Sequence, residues 1–140
     1  MFSDNKTYPN TWHKDSLAAF EFTTKDSINS YDIFVNIRTE KHYRFNNLHL
    51  IVALEYPNGK LQKDTLEYPM TEKNGELLGA GWGIKEHKLW YKGYDQPFMF
   101  DETGTYKISI GQAMRKNGEK NGIVDLEAVT DVGISVEERE

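Results

Sequence analysis

Residues 104–137 read GTYKISIGQAMRKNGEKNGIVDLEAVTDVGISVE, and this stretch decides the fold. Tyr106, Ile108 and Ile110 alternate with Thr105, Lys107 and Ser109, giving a strand one apolar side and one polar side. After an excursion, Val132, Ile134 and Val136 repeat the pattern. Gln112-Ala113-Met114-Arg115 leaves the first strand, and Lys116–Gly122 is polar, turn-forming chain. The stretch therefore reads as two core strands and their connection, with no catalytic signature.

The same period runs upstream. Phe20 and Phe22 share one face of a strand over 17–23. Tyr31, Ile33, Val35 and Ile37 oppose Asp32, Phe34, Asn36 and Arg38; Leu48, Leu50, Val52, Leu54 and Tyr56 oppose His49, Ile51, Ala53 and Glu55. Pro57-Asn58-Gly59-Lys60 ends the latter strand with turn chemistry. Residues 64–70 form a strand that Pro69 confines to an edge, because proline donates nothing to the ladder. In Lys88–Lys92, Leu89 and Tyr91 face inward, so Trp90 lies outside between two lysines. Phe98 and Phe100 mark one more strand. About eight short strands without a helical period predict an all-β fold, a single antiparallel β-sandwich of immunoglobulin-like or jelly-roll-like type. Residues 1–16 read as an irregular N-terminal arm with Trp12 tucked onto the core, and 17–140 as the sandwich domain.

Composition narrows the chemistry. A chain of 140 residues buries about two-thirds of its unfolded surface and needs no staples. It has no cysteine, which removes disulfides, thiol catalysis and cysteine-ligated zinc. A formal charge of −5 with scattered basic residues speaks against nucleic acid. No apolar run reaches the length of a membrane-spanning helix. Met1–Lys6 is too polar for a signal peptide, so the chain reads as either a complete cytosolic protein or a mature segment whose export signal is gone.

His13, His42, His49 and His87 show no paired ligand spacing, and Asp101–Gly104 reads as a β-turn rather than a calcium loop, so no metal or other cofactor is expected. Asp32, Glu55, Asp64, Glu67, Glu86 and Asp131 offer no preferred pair for a carboxylate hydrolase. Trp82, Trp90 and Tyr94 are the candidate interaction surface, with the glycine segment 79–83 beside them; exposed aromatics anchor protein interfaces or stack on sugar rings. Arg38 and Arg115 end clear strands and are read as structural, pairing with a carboxylate such as Asp131.

In order along the chain, Trp12, Phe20-Glu21-Phe22, Asp32–Arg38, Tyr43–Leu48, Asp64–Tyr68, Gly75–Gly81, Lys85–Lys92, Gly104–Tyr106, Gln112–Arg115 and Thr130–Ile134 resemble the gliding-motility lipoprotein H (GldH) family of Bacteroidetes. The resemblance implies an exported lipoprotein without known catalytic residues, although this sequence lacks the family's lipobox cysteine. It implies a trimmed soluble domain, tethered by its N-terminal arm to a membrane lipid and lying in the periplasm. Its partners would be envelope proteins of the gliding or type IX secretion machinery. A carbohydrate-binding module is the alternative reading.

Overall fold

The computed structural model describes residues 2–24, 30–74, 76–79, 84–93, 98–100, 102–115 and 122–138. Among them the chain forms eleven strands: β1 (Phe2–Thr7), β2 (Thr11–His13), β3 (Ala18–Thr24), β4 (Ser30–Glu40), β5 (Asn47–Glu55), β6 (Leu61–Pro69), β7 (Ile84–Lys92), β8 (Phe98–Met99), β9 (Gly104–Gln112), β10 (Asp125–Glu127) and β11 (Val129–Glu138). The first sheet runs β1-β11-β4-β7, with β8 also on β4; the second runs β3-β9-β5-β6; β2 and β10 make a separate ribbon. Every pairing is antiparallel.

The fold is the all-β sandwich that the alternation predicts, with three more strands than expected. Within the segment read as an irregular arm, Phe2–Thr7 and Thr11–His13 are strands. β1 pairs with β11 from Phe2↔Val136 to Thr7↔Asp131, and β2 pairs with β10. Sequence pattern hid them because each is short and its pairing partner lies more than a hundred residues away. Most of β1 is exposed, so it carries little apolar signal.

Alternating residues from both sheets fill the interior, as a pleated strand requires. Ile33, Val35, Ile37, Val132, Ile134 and Val136 of the first sheet are buried with Leu48, Leu50, Val52, Leu54, Ile108 and Ile110 of the second. One end of this core is aromatic: Tyr106 stacks on Phe22 at 5.8 Å, and Phe100 meets Tyr106 at 4.9 Å and Tyr31 at 5.2 Å. At the other end Trp12 is fully buried, its Nε1 donating to the Ser16 carbonyl at 2.8 Å. There Gln112 joins the ribbon to the second sheet. Its amide donates to the Ile123 carbonyl at 2.8 Å, and its carbonyl accepts from the Met114 amide at 2.9 Å. A buried amide satisfied on both sides fixes the exit from β9.

The two long edges close differently. β6 and β7 are tied by Tyr68, whose hydroxyl donates to the Trp90 carbonyl at 2.6 Å, and by Tyr91, which donates to Asp64 at 3.0 Å. Burial raises the Tyr68 hydroxyl to about 12 and also raises Tyr91, so both remain donors at neutral pH. β1 and β3 meet through the Phe2–Phe22 contact at 5.4 Å.

Candidate functional site

The pairing register arranges the outward residues of the first sheet in rows across four strands. One row is Thr7–Asp131–Arg38–Glu86, the next is Asn5–Gly133–Asn36–Lys88, and the third is Ser3–Ser135–Phe34–Trp90. Register shifts lie between Val129 and Asp131 on β11 and between Ile33 and Phe34 where β4 meets β7. Bulges of this kind re-aim side chains; these two bracket the three rows, one beside Asp131 and one beside Trp90.

The first row is ionic. Arg38 donates to Glu86 from Nε at 2.9 Å, and its Nη2 lies 2.7 Å from the same oxygen. Its other terminal nitrogen approaches Asp131 at 4.0 Å. Asp131, only 15% exposed at its side chain, also accepts from Thr7 at 2.6 Å, Thr130 at 3.0 Å and Asn5 at 3.3 Å. The third row is aromatic: Phe34 and Trp90 lie 4.4 Å apart between ring centres, and Trp90 remains 38% exposed.

The middle row is low. Gly133 has no side chain because β1 passes too close: a Cβ would stand 2.5 Å from the Asp4 carbonyl oxygen. Lys88 turns its Nζ toward the third row, 4.3 Å from the Phe34 ring centre and 2.6 Å from Glu137. That bond holds Glu137 below the usual carboxylate range. Beside these rows lies a depression of about 450 Å³ lined by Asn5, Asn36, Arg38, Glu86, Lys88 and Asp131 among others. The half-buried Asn36 carboxamide makes no hydrogen bond to another described residue.

The outer face of the second sheet has a different chemistry. Its rows are Glu21–Lys107–Glu55–Leu61, then Ala19–Ser109–Ala53–Lys63, then Gly111–Ile51–Thr65 with Leu17 lying over Gly111. Leu17, Ile51 and Leu61 are 50%, 41% and 57% exposed. Lys107 reaches Glu21 and Glu55 at 3.9 Å each, forming one charged border. Glu67 forms the other, accepting from Asn47 at 2.9 Å and lying 2.9 Å from His49 Nε2. These contacts lower the Glu67 carboxyl pKa, the Asn47 bond most of all.

Of the sequence-predicted site residues, Trp90 stands on the outer face as its lysine neighbours require. Trp82 and Tyr94 lie outside the described residues, as do Ala80–Gly83 of the glycine segment. Gly79 is described and packs against Glu86 and His87 with φ +101°. Of the two arginines, Arg38 is the one that approaches Asp131. Arg115 is exposed beyond β9, in a bridge to Gly122. His87 is buried, hydrogen-bonded to Thr39 at 2.9 Å, and the other three histidines occupy separate surfaces. Among the described residues no three His, Cys, Asp or Glu side chains gather as metal ligands. Sequence reading passed over Asn36, Gly133 and Ile51. The available signal was Phe34 and Ile51 standing on otherwise polar strand faces.

Fold and faces together define an all-β sandwich that presents two chemically distinct sheet surfaces. The chain belongs to the GldH lipoprotein family, whose description matches residues 1–136. It is 55% identical over 127 residues to a gliding motility lipoprotein GldH homolog of Christiangramia forsetii, covering 90% of this chain and 76% of that protein. It is 44% identical over 141 residues to gliding motility lipoprotein GldH of Flavobacterium johnsoniae, covering 100% of this chain and 86% of the relative. A structure of infectious bursal disease virus, Gx strain, overlaps 98% of this chain and 31% of its own, with 14% identity and a TM-score of 0.41. Membership in a lipoprotein family implies a membrane-anchored place in the cell envelope.

Proposed function

We propose that this protein is a non-enzymatic envelope lipoprotein that supports gliding motility by docking another protein of the gliding or type IX secretion machinery, with its domain in the periplasm. Both curated relatives carry gliding motility in their names. The observation that carries the docking step is the outer face of the second sheet. Leu17, Ile51, Ala19 and Ala53 make an apolar centre, with the Glu21–Lys107–Glu55 ladder on one side and Asn47–His49–Glu67 on the other. An apolar centre inside a charged border is the anatomy of a protein–protein interface. Between the alanines and the Glu21–Lys107–Glu55 ladder this face is hollowed by a depression of about 520 Å³ that also takes in Leu61 and Ser109.

Affinity capture from native membranes tests the reading, with bound proteins identified by mass spectrometry. The parent chain is expected to retain gliding or secretion components, and Ile51→Asp to lose them. Recovery of no such component, or equal recovery by Ile51→Asp, overturns the proposal.

A further inference from the structure

The outer edge of β1 belongs to neither sheet face. β1 pairs with β11, and no other described strand pairs with it. Residues 3–7 are all exposed. The Tyr8 amide donates to the Thr130 carbonyl of β11 at 2.6 Å, and the Asp4 carbonyl oxygen lies against Gly133 of β11. Successive residues of an antiparallel strand turn their backbone groups to opposite sides, so Ser3, Asn5 and Thr7 turn theirs to the open side. There the Asn5 amide donates to the neighbouring Asp4 carboxylate at 2.8 Å, not to another strand.

Asp4 and Lys6 carry the second observation. By register they share the inward face of Ile134 and Val132, both fully buried. Lys6 lies over the Tyr8 ring at 5.2 Å, and neither charge has an ion-pair partner among the described residues. Inward charges on an edge bar an apolar strand from adding to the sheet, because pairing would bury them unmatched. A strand with the opposite charges at the facing positions is admitted. We propose that this strand is β1 of a second copy, paired antiparallel and centred on Asn5. Asn5 then faces Asn5, and Ser3 faces Thr7, so the residues that meet backbone to backbone are those whose groups already point outward. Asp4 faces Lys6 of the second copy and Lys6 faces Asp4, which matches both inward charges. Centring on Asp4 or Lys6 would set like charges opposite one another. The other long edges lack this complementarity: β6 and β7 are tied to each other by Tyr68 and Tyr91, and β3 paired with itself about its midpoint sets Glu21 opposite Glu21. A six-residue edge makes a weak contact in dilute solution, and a lipoprotein's membrane anchor holds copies at high local concentration.

The test is a symmetric disulfide in a chain that has no cysteine of its own. The purified chain is held by an N-terminal histidine tag on nickel-chelating lipid vesicles and mildly oxidised. Directly opposed residues of such a pair stand about 5.5 Å apart, within disulfide reach. Asn5→Cys is therefore expected to give at least about tenfold more covalent dimer than Lys63→Cys, exposed on the second sheet. Adding Asp4→Lys or Lys6→Asp to Asn5→Cys sets like charges opposite and should cut the yield about tenfold; the two reversals together restore it. Circular dichroism checks folding, and Lys6→Asp decides if Asp4→Lys is unfolded. A yield no higher than that of Lys63→Cys overturns the proposal. So does equal crosslinking after either reversal, or failure of the double reversal to restore it. Capture of a different protein in place of a second copy, when Asn5→Cys is oxidised in native membranes, also overturns it. Ile51→Asp leaves the dimer unchanged, so this pairing and the docking reading fail separately.

Discussion

On the first sheet the outward rows run from ions through amides to aromatic rings, and the side chains hold one another. On the second they run from ions to alanine, leucine and isoleucine, and the apolar ones touch little. Both faces use four antiparallel strands with outward residues at every second position, so backbone geometry does not set them apart. The difference is in how many partners each outward residue has. Asp131 accepts three hydrogen bonds, whereas Leu17, Ile51 and Leu61 are left largely to solvent. A face left open suits a partner that covers it.

The largest expected effect separates two glycines, one on each face. Gly133→Ala pushes a methyl group into the β1 backbone, 2.5 Å from the Asp4 oxygen. It should destabilise the domain by about 2 kcal/mol in urea denaturation. Gly111→Ala meets only the tip of the exposed Leu17 side chain at 2.7 Å, which can swing aside. Its cost should be under about 0.5 kcal/mol, since alanine also restricts the unfolded chain. Equal losses would show that the second face is as tightly held as the first.

Next in size, Asp131→Ala leaves Thr7, Thr130 and Asn5 without their acceptor and should cost about 1–2 kcal/mol. Hydrogen exchange should then quicken in β1 before any other strand.

A pH effect follows, also confined to the first sheet. Burial, and then the Lys85 charge, lower the His87 pKa below its ordinary 6.5. The unfolded chain therefore binds the proton more readily than the folded one, so stability is full above pH 6.5 and declines as pH falls toward the depressed value. Thermal melts should drop between pH 7 and 5, and His87→Gln should flatten that slope. Glu67 and Glu137, lowered from 4.5, act only at more acidic pH and leave this window to the histidine. The smallest effect belongs to the second face: Glu55→Ala removes one exposed 3.9 Å ion pair and should change stability by less than about 0.5 kcal/mol.

The alternation of apolar residues was enough to read the core strands, because burial on one side of a pleat leaves a period of two. It also placed Trp90 outside, while Pro69, which donates nothing to a ladder, put β6 at an edge. The first two strands escaped because β1 buries little beyond Phe2 and because β2 is held by Trp12 and Gln112 rather than by a pattern. The depression on the first sheet was illegible for a related reason. Its walls come from β1, β4, β7 and β11, and no single stretch shows that Asn5, Gly133 and Asn36 share a row. The choice of Arg38 over Arg115 as the neighbour of Asp131 likewise follows from sheet order, which strand-end positions do not reveal.

The β1–β11 pairing also gives the molecule a mechanical direction. Six residue pairs join the strands, with hydrogen bonds running across them. Tension on Phe2 along the strand loads all six in shear, so they resist together. Tension across the sheet instead peels them apart one after another, beginning at Phe2↔Val136 and ending at the Thr7–Asp131 clasp. The same N-terminal strand is thus a firm grip for one line of pull and a zip for another.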